Sequence, residues 1–229
     1  MLIINNLRYR FGRRLFFNIF GLLILATGIS LSTITGLGIS PLNAVSFVLS
    51  QITNIEMGYC TMMLFIFYVI LEIPIKGKKF HISDCLQIVC AVVFGYFVNW
   101  TKSLLSGIVI ESYLLKIVFT LISTVLIAVG TQVYVIGKIL TQATEGLILA
   151  ICDRWNLRFA DVKNYMDITS VVLAAIISLI FTGKIIGIRE GTVIAAFGVG
   201  RVVALLNKGF LQKMNTLCWG KDNPGKSEN

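Results

Sequence analysis

Charge is what this sequence has little of. Only 14% of its 229 residues are Asp, Glu, Lys or Arg, while 56% are hydrophobic. Soluble domains carry roughly 25% charged residues and about 45–50% apolar ones, so a soluble metabolic enzyme, a secreted scaffold and a disordered chain are all excluded. From Leu15 to Ile55 there is no Asp, Glu, Lys, Arg or His, and Lys116 and Lys138 bracket a second uncharged stretch. Histidine is almost missing: His81 stands alone with Asp84 and Cys85 nearby, too few ligands for a metal. The five cysteines (Cys60, Cys85, Cys90, Cys152, Cys218) are odd in number and lack CxxC spacing, so neither a disulfide framework nor a zinc site is expected. They read as small apolar helix residues, with Cys218 free in a tail. No Ser/His/Asp set, phosphate loop or HExxH is present, so no enzyme, cofactor or metal is expected.

What is there is a series of apolar runs of the length that spans a bilayer. Six spans are predicted near residues 15–35, 57–75, 84–105, 112–136, 161–182 and 191–208. The first is longer than a signal-peptide core and ends on no small-x-small site, so it is read as a retained helix. The net charge of +9 would suit nucleic acid if it were clustered on one face, but the cations sit between apolar runs. No nucleic-acid partner is expected; the lipid bilayer is the partner. Fifteen of the 20 Lys and Arg residues fall on one side of the six spans, against Lys102, Lys184 and Arg189 on the other. Both termini are therefore expected in the cytoplasm, with residues 211–229 a polar cytoplasmic tail.

Two connections, 36–56 and 137–160, are too apolar for solvated loops and too short for further spans. Ser40 followed by Pro41 is a helix start, a hydroxyl cap and then proline at N1. Thr141 is the expected cap of a second short helix over Gln142 to Cys152. Half-helices at membrane depth are tolerated where they are buried or line a cavity. The two halves align at an offset of 102: Ala26/Ala128, Gly28/Gly130, Ile34/Ile136 and Asn54/Asn156 are identical. In the last span of each half the offset becomes 105, matching Ala91–Gly95 with Ala196–Gly200. Three spans per copy require the second copy to be inverted. The expected fold is all-α: one polytopic membrane domain over 1–229, about six transmembrane helices in two inverted three-helix repeats (about 15–105 and 112–210), each with a half-helix.

Ionisable groups inside spans are costly and default to functional candidates. Glu145 leads, because it lies in the first turn of the second half-helix and would bind a cation or carry a proton there; stabilising its own helix N-terminus is the alternative. Asn43 is its counterpart, as a ligand donor or a plain capping residue. Asp167 stands four residues after Lys163, a spacing that also makes an ordinary ion pair. Arg201 would pair with Asp167 or Glu145, hold an anion, or snorkel to headgroups. Gln87, Asn99, Thr131, Gln132 and Thr192 are milder candidates for a cavity wall, or ordinary interhelical bonds. Glu72 and Lys76 look like interface residues.

Gly36-Leu-Gly-Ile-Ser-Pro-Leu-Asn43 resembles the first-half signature of the bacterial YczE/YyaS/YitT-type integral membrane proteins. Thr141-Gln-Ala-Thr-Glu-Gly-Leu147 resembles that family's Gly-Pro-Arg-Asp-Gly-Leu segment, and Ile186-Gly-Ile-Arg-Glu-Gly-Thr192 its closing glycine-threonine turn. Lys163 and Asp167 stand where a base and an acid are usual. Asn43 replaces a common aspartate, and Ala143-Thr144-Glu145 replaces Pro-Arg-Asp, so a function resting on two aspartates would be altered here. The resemblance covers about residues 15–210. It implies a multi-pass protein of the bacterial plasma membrane and names no substrate.

The leading expectation is a small secondary transporter or permease for an unidentified small solute, with alternating access around Asn43 and Glu145 and coupling to protons through the glutamate. As an assembly, a homodimer is the alternative to a monomer. The runner-up function is a non-transporting membrane factor that binds a protein or lipid in export or regulation. An intramembrane enzyme would need paired catalytic groups, and at most Glu145 with Asp167 qualifies.

Overall fold

A computed structural model describes residues 2–137 and 139–206 together with Met214 and Cys218. Eight α-helices make up the described chain: α1 (Leu2–Thr35), α2 (Pro41–Thr53), α3 (Met57–Lys76), α4 (Leu86–Leu105), α5 (Tyr113–Gly137), α6 (Ala143–Trp155), α7 (Phe159–Thr182) and α8 (Glu190–Leu206). Five of them (α1, α3, α4, α5 and α7) contain stretches long and apolar enough to cross a bilayer. This is a multi-pass helical membrane protein. The sixth expected span falls on α8, whose 17 described residues reach about 25 Å at 1.5 Å per residue and which is not among these five. Large apolar side chains such as Phe16, Leu114 and Phe181 are more than half exposed on the outer faces, where hydrocarbon replaces water as solvent.

The closest helix pair is α1 with α5. Gly21 lies against Tyr134, Gly28 against Ile127, Gly130 against Leu25 and Gly137 against Asn18, so the two helices run antiparallel. A Cβ on Gly130 would sit 2.5 Å from the Leu25 backbone nitrogen; only glycine lets the backbones approach this far. Asn18, fully buried, donates its amide to the carbonyls of Tyr134 (2.8 Å) and Leu140 (3.1 Å). α4 packs on α1 and α8 on α5, while α2 packs on α7 and α6 on α3. α3 and α4 also pack closely on each other.

The two short helices lie where the sequence expects them, with one correction. Ser40 and Pro41 open α2, although the Ser40 hydroxyl makes no capping bond. α6 begins at Ala143, and its N-cap is Gln142 rather than Thr141. Both helices end on an asparagine in the left-handed region, Asn54 at φ 57° and Asn156 at φ 51°. α1 starts at Leu2, well before residue 15, because charged side chains limit membrane burial and not helix formation. Most of the expected tail lies outside the described residues. Cys218, however, is buried, not free in solvent: its carbonyl accepts from Arg13 Nε at 3.0 Å and its thiol faces the Ile136 carbonyl.

Candidate functional site

A cavity of about 620 Å³ lies between the two halves. Each short helix presents its first turn to it. Ser40, Pro41, Leu42 and Asn43 come from α2; Gln142, Thr144 and Glu145 come from the start of α6. The remaining wall is mostly apolar, from Leu25 and Ile29 of α1 to Phe65 of α3 and Phe94 of α4, whose rings stack at 5.7 Å. α5 adds Thr131 and Gln132, α7 adds Lys163, Asn164 and Asp167, and α8 adds Ala195, Ala196, Val199 and Gly200.

Glu145 is the central acid. It lies beside the Tyr134 hydroxyl, which is buried and stops short of hydrogen-bond geometry. Lys163 is the cation whose charge acts on it, and Lys163 Nζ stands 3.3 Å from Asp167 Oδ2. Two acids and one ammonium therefore line a mostly apolar chamber, and when both acids are ionised the charge there is net negative. The N-terminus of α6 offsets part of it through its unpaired N–H groups. Such a site favours a cation, a proton or an amine; in a low-dielectric wall it would bind an anion poorly.

Of the sequence candidates, Asn43, Glu145, Asp167, Gln132 and Thr131 meet at the cavity. Four others do not. Arg201 is exposed on α8 and makes no ion pair among the described residues, because the helix turns it away from the wall that Gly200 lines. Thr192 is a staple at the start of α8: its hydroxyl accepts from Ile39 N at 3.2 Å and Arg189 N at 3.4 Å, and lies 3.4 Å from the Gly187 carbonyl. Asn99 binds Gly58 N at 2.6 Å and ties α4 to α3. Gln87 is buried against Gly146, where a Cβ would lie 2.5 Å from its Nε2, beside a separate pocket of about 130 Å³.

Residues 12–208 match the family of unknown function DUF6198. The chain belongs to that family. Among similar proteins, an uncharacterized protein of Haemophilus influenzae is 25% identical over 185 residues, covering 81% of this chain and 79% of that protein. The uncharacterized protein YyaS of Bacillus subtilis is 30% identical over 134 residues, covering 58% of this chain and 65% of YyaS. The YyaS-type resemblance seen in the sequence is thus correct. No solved structure matches.

Three groups in this DUF6198 protein escape sequence reasoning. Tyr134 reads as one more apolar position of α5, and only the fold turns its hydroxyl to Glu145. Asn18 carries no motif at all. Glu72 is missed in its burial: its side chain is fully buried within the protein, with Lys76 Nζ 2.5 Å from Oε1 and also 3.1 Å from Asp84 Oδ1. The i, i+4 spacing of Glu72 and Lys76 was a legible signal; the third partner, from the turn before α4, was not.

Proposed function

We propose that this chain is a small secondary transporter that carries a small cationic or amine-bearing solute, or a solute coupled to protons, through the central cavity. The observation that carries the reading is the cavity itself, about 620 Å³ with Glu145, Asn43 and the first turns of two short helices on its wall. Interrupted or short helices that meet at the centre of two repeats are the usual construction of a transporter site.

The inverted-repeat part of the reading has three supports. α2 starts at residue 41 and α6 at 143, a shift of 102, and both are 13 residues long and closed by a left-handed asparagine. Under the same shift the contact of Gly28 with Ile127 becomes that of Gly130 with Leu25. The helix partners exchange too: α2 on α7 becomes α6 on α3, and α1 on α4 becomes α5 on α8. Since α1 and α5 are antiparallel, the halves are related by an axis in the membrane plane, and α2 and α6 are half-helices entering from opposite sides. The cation bias supports a cytoplasmic location for both termini and for the open end of α6.

In this mechanism Glu145 takes the cation or proton, Lys163 and Asp167 set its field, and Asn43 offers an amide from the opposite half. No reaction is catalysed. The test is uptake by the purified chain in proteoliposomes, with an imposed pH gradient and a panel of small amines and cations. The expected result is flux in the wild type and none in Glu145→Gln. Flux unaffected by that substitution, or no flux from the wild type alongside a co-purifying protein, would refute the reading.

A further inference from the structure

We infer that the cavity is an unclosed α7–α8 interface, and that Asp161 and Arg201 form the ion pair that seals it in a second conformation. This rests on the repeat part of the reading above.

The inference comes from one break in the symmetry. α3 and α4 pack closely, whereas their counterparts α7 and α8 do not. In the first half Gly58 and Gly95 bring the backbones together: a Cβ on Gly95 would lie 2.6 Å from the Gly58 carbonyl. Applying the two offsets, 102 for α3 and 105 for α4, gives Ala160 and Gly200. Both are small, both line the cavity, and a Cβ on Gly200 would meet nothing within 4 Å. The correspondence extends along both helices. Met62 and Phe65, packed toward α4, become Asn164 and Asp167; Phe94 becomes Val199, and all three counterparts face the cavity. The positions on the other faces keep their burial: Cys60 and Val162, Tyr68 and Ser170, Cys90 and Ala195 are buried pairs. The second half thus retains the small-residue face of a closed interface and holds it apart.

At the rim, Tyr59 and Tyr96 meet edge-on at 6.2 Å in the first half. Their counterparts are Asp161 and Arg201, opposite charges on facing helices. In the present conformation Asp161 is occupied by Arg158, at 2.8 and 3.1 Å, and Arg201 has no ion pair among the described residues. Moving α8 onto α7 in the α3–α4 geometry brings Arg201 to Asp161 and removes the cavity on the cytoplasmic side. A second conformation in which the α3–α4 face parts instead would give the other side access, as two like halves exchanging shapes require. Closing would cost no new residue type, only the transfer of Asp161 from Arg158 to Arg201.

The experiment uses the full chain with its five cysteines replaced by alanine, in native membranes. Ala160→Cys with Gly200→Cys, and Asp161→Cys with Arg201→Cys, are oxidised; Tyr165→Cys with Phe197→Cys, on the outer faces of the same helices, is the control. Crosslinking of the first two pairs at least about tenfold above the control is expected, and equal yields overturn the inference. Alkylation of Asn164→Cys supplies a second readout. Asp161→Arg and Arg201→Asp should each raise its rate by about tenfold, since like charges hold the rim open, and the double reversal should return it to within about threefold. A double reversal that behaves as the single ones overturns the ion pair. If the cysteine-free chain does not fold, flux by the same reversals in the native chain decides, with the double restoring what each single loses. Crosslinking without solute flux would remove the transport reading and leave the closure standing; flux without crosslinking would do the opposite.

Discussion

Gly21→Ala is the sharpest probe of the α1–α5 seam. The new methyl would lie 2.6 Å from Tyr134 Cα and 2.7 Å from its Cβ. Ordinary contact begins near 3.4 Å, so α5 would have to retreat by close to 1 Å, and backbone atoms cannot turn aside as a side-chain tip does. Overpacking of this kind costs about 1–3 kcal/mol, and a backbone collision belongs at the upper end. Alanine returns about 1 kcal/mol of helix propensity, leaving a net loss of about 2 kcal/mol. For a chain of this length each kcal/mol moves Tm by about 2–4 °C, so a fall of about 4–8 °C is expected. Gly12→Ala is the matched control, since a Cβ there meets nothing within 4 Å; it should keep the propensity gain and rise by up to about 4 °C. The assay is thermal unfolding of both variants in the same detergent. If Gly21→Ala melted with Gly12→Ala, the seam would not be the rigid backbone contact described here.

Two further outcomes follow from the same packing. Lys76→Ala strands the fully buried Glu72 carboxylate and is expected to cost about 3–5 kcal/mol, whereas Glu72→Gln with Lys76→Met should cost far less; comparing their melting temperatures checks this. At the ends of the short helices, Asn54→Gly and Asn156→Gly should be near neutral, while valine at either site should cost about 1–2 kcal/mol because of the left-handed φ. Equal losses at the two positions, read by thermal unfolding, are expected; tolerance of valine would be inconsistent with those conformations.

The sequence made the short helices legible through Ser40-Pro41 and the uncharged connections, since a helix start has a local chemical signature. It placed the second cap one residue early, because the Gln142 cap makes no side-chain capping bond that would set it apart from Thr141. Asn43, Glu145 and Asp167 stood out for a simple reason: polar groups in apolar surroundings are rare enough to see. Arg201 and Thr192 stood out by the same rule and lie off the cavity, because residue type does not reveal which face of a helix turns inward. Tyr134, Asn18 and the third partner of Glu72 were invisible, each defined by a contact between segments far apart in the chain.

The α1–α5 seam also bears on how the protein is made. Its two strips of contact lie on segments synthesised about 100 residues apart, so at about 5–20 residues per second α1 waits roughly 5–20 seconds for its partner. Throughout that interval the amide of Asn18 lacks the Tyr134 and Leu140 carbonyls that it will later bind, and an unsatisfied amide in hydrocarbon costs several kcal/mol. The nascent first half therefore has reason to stay near the insertion machinery, or its watery interior, until α5 arrives.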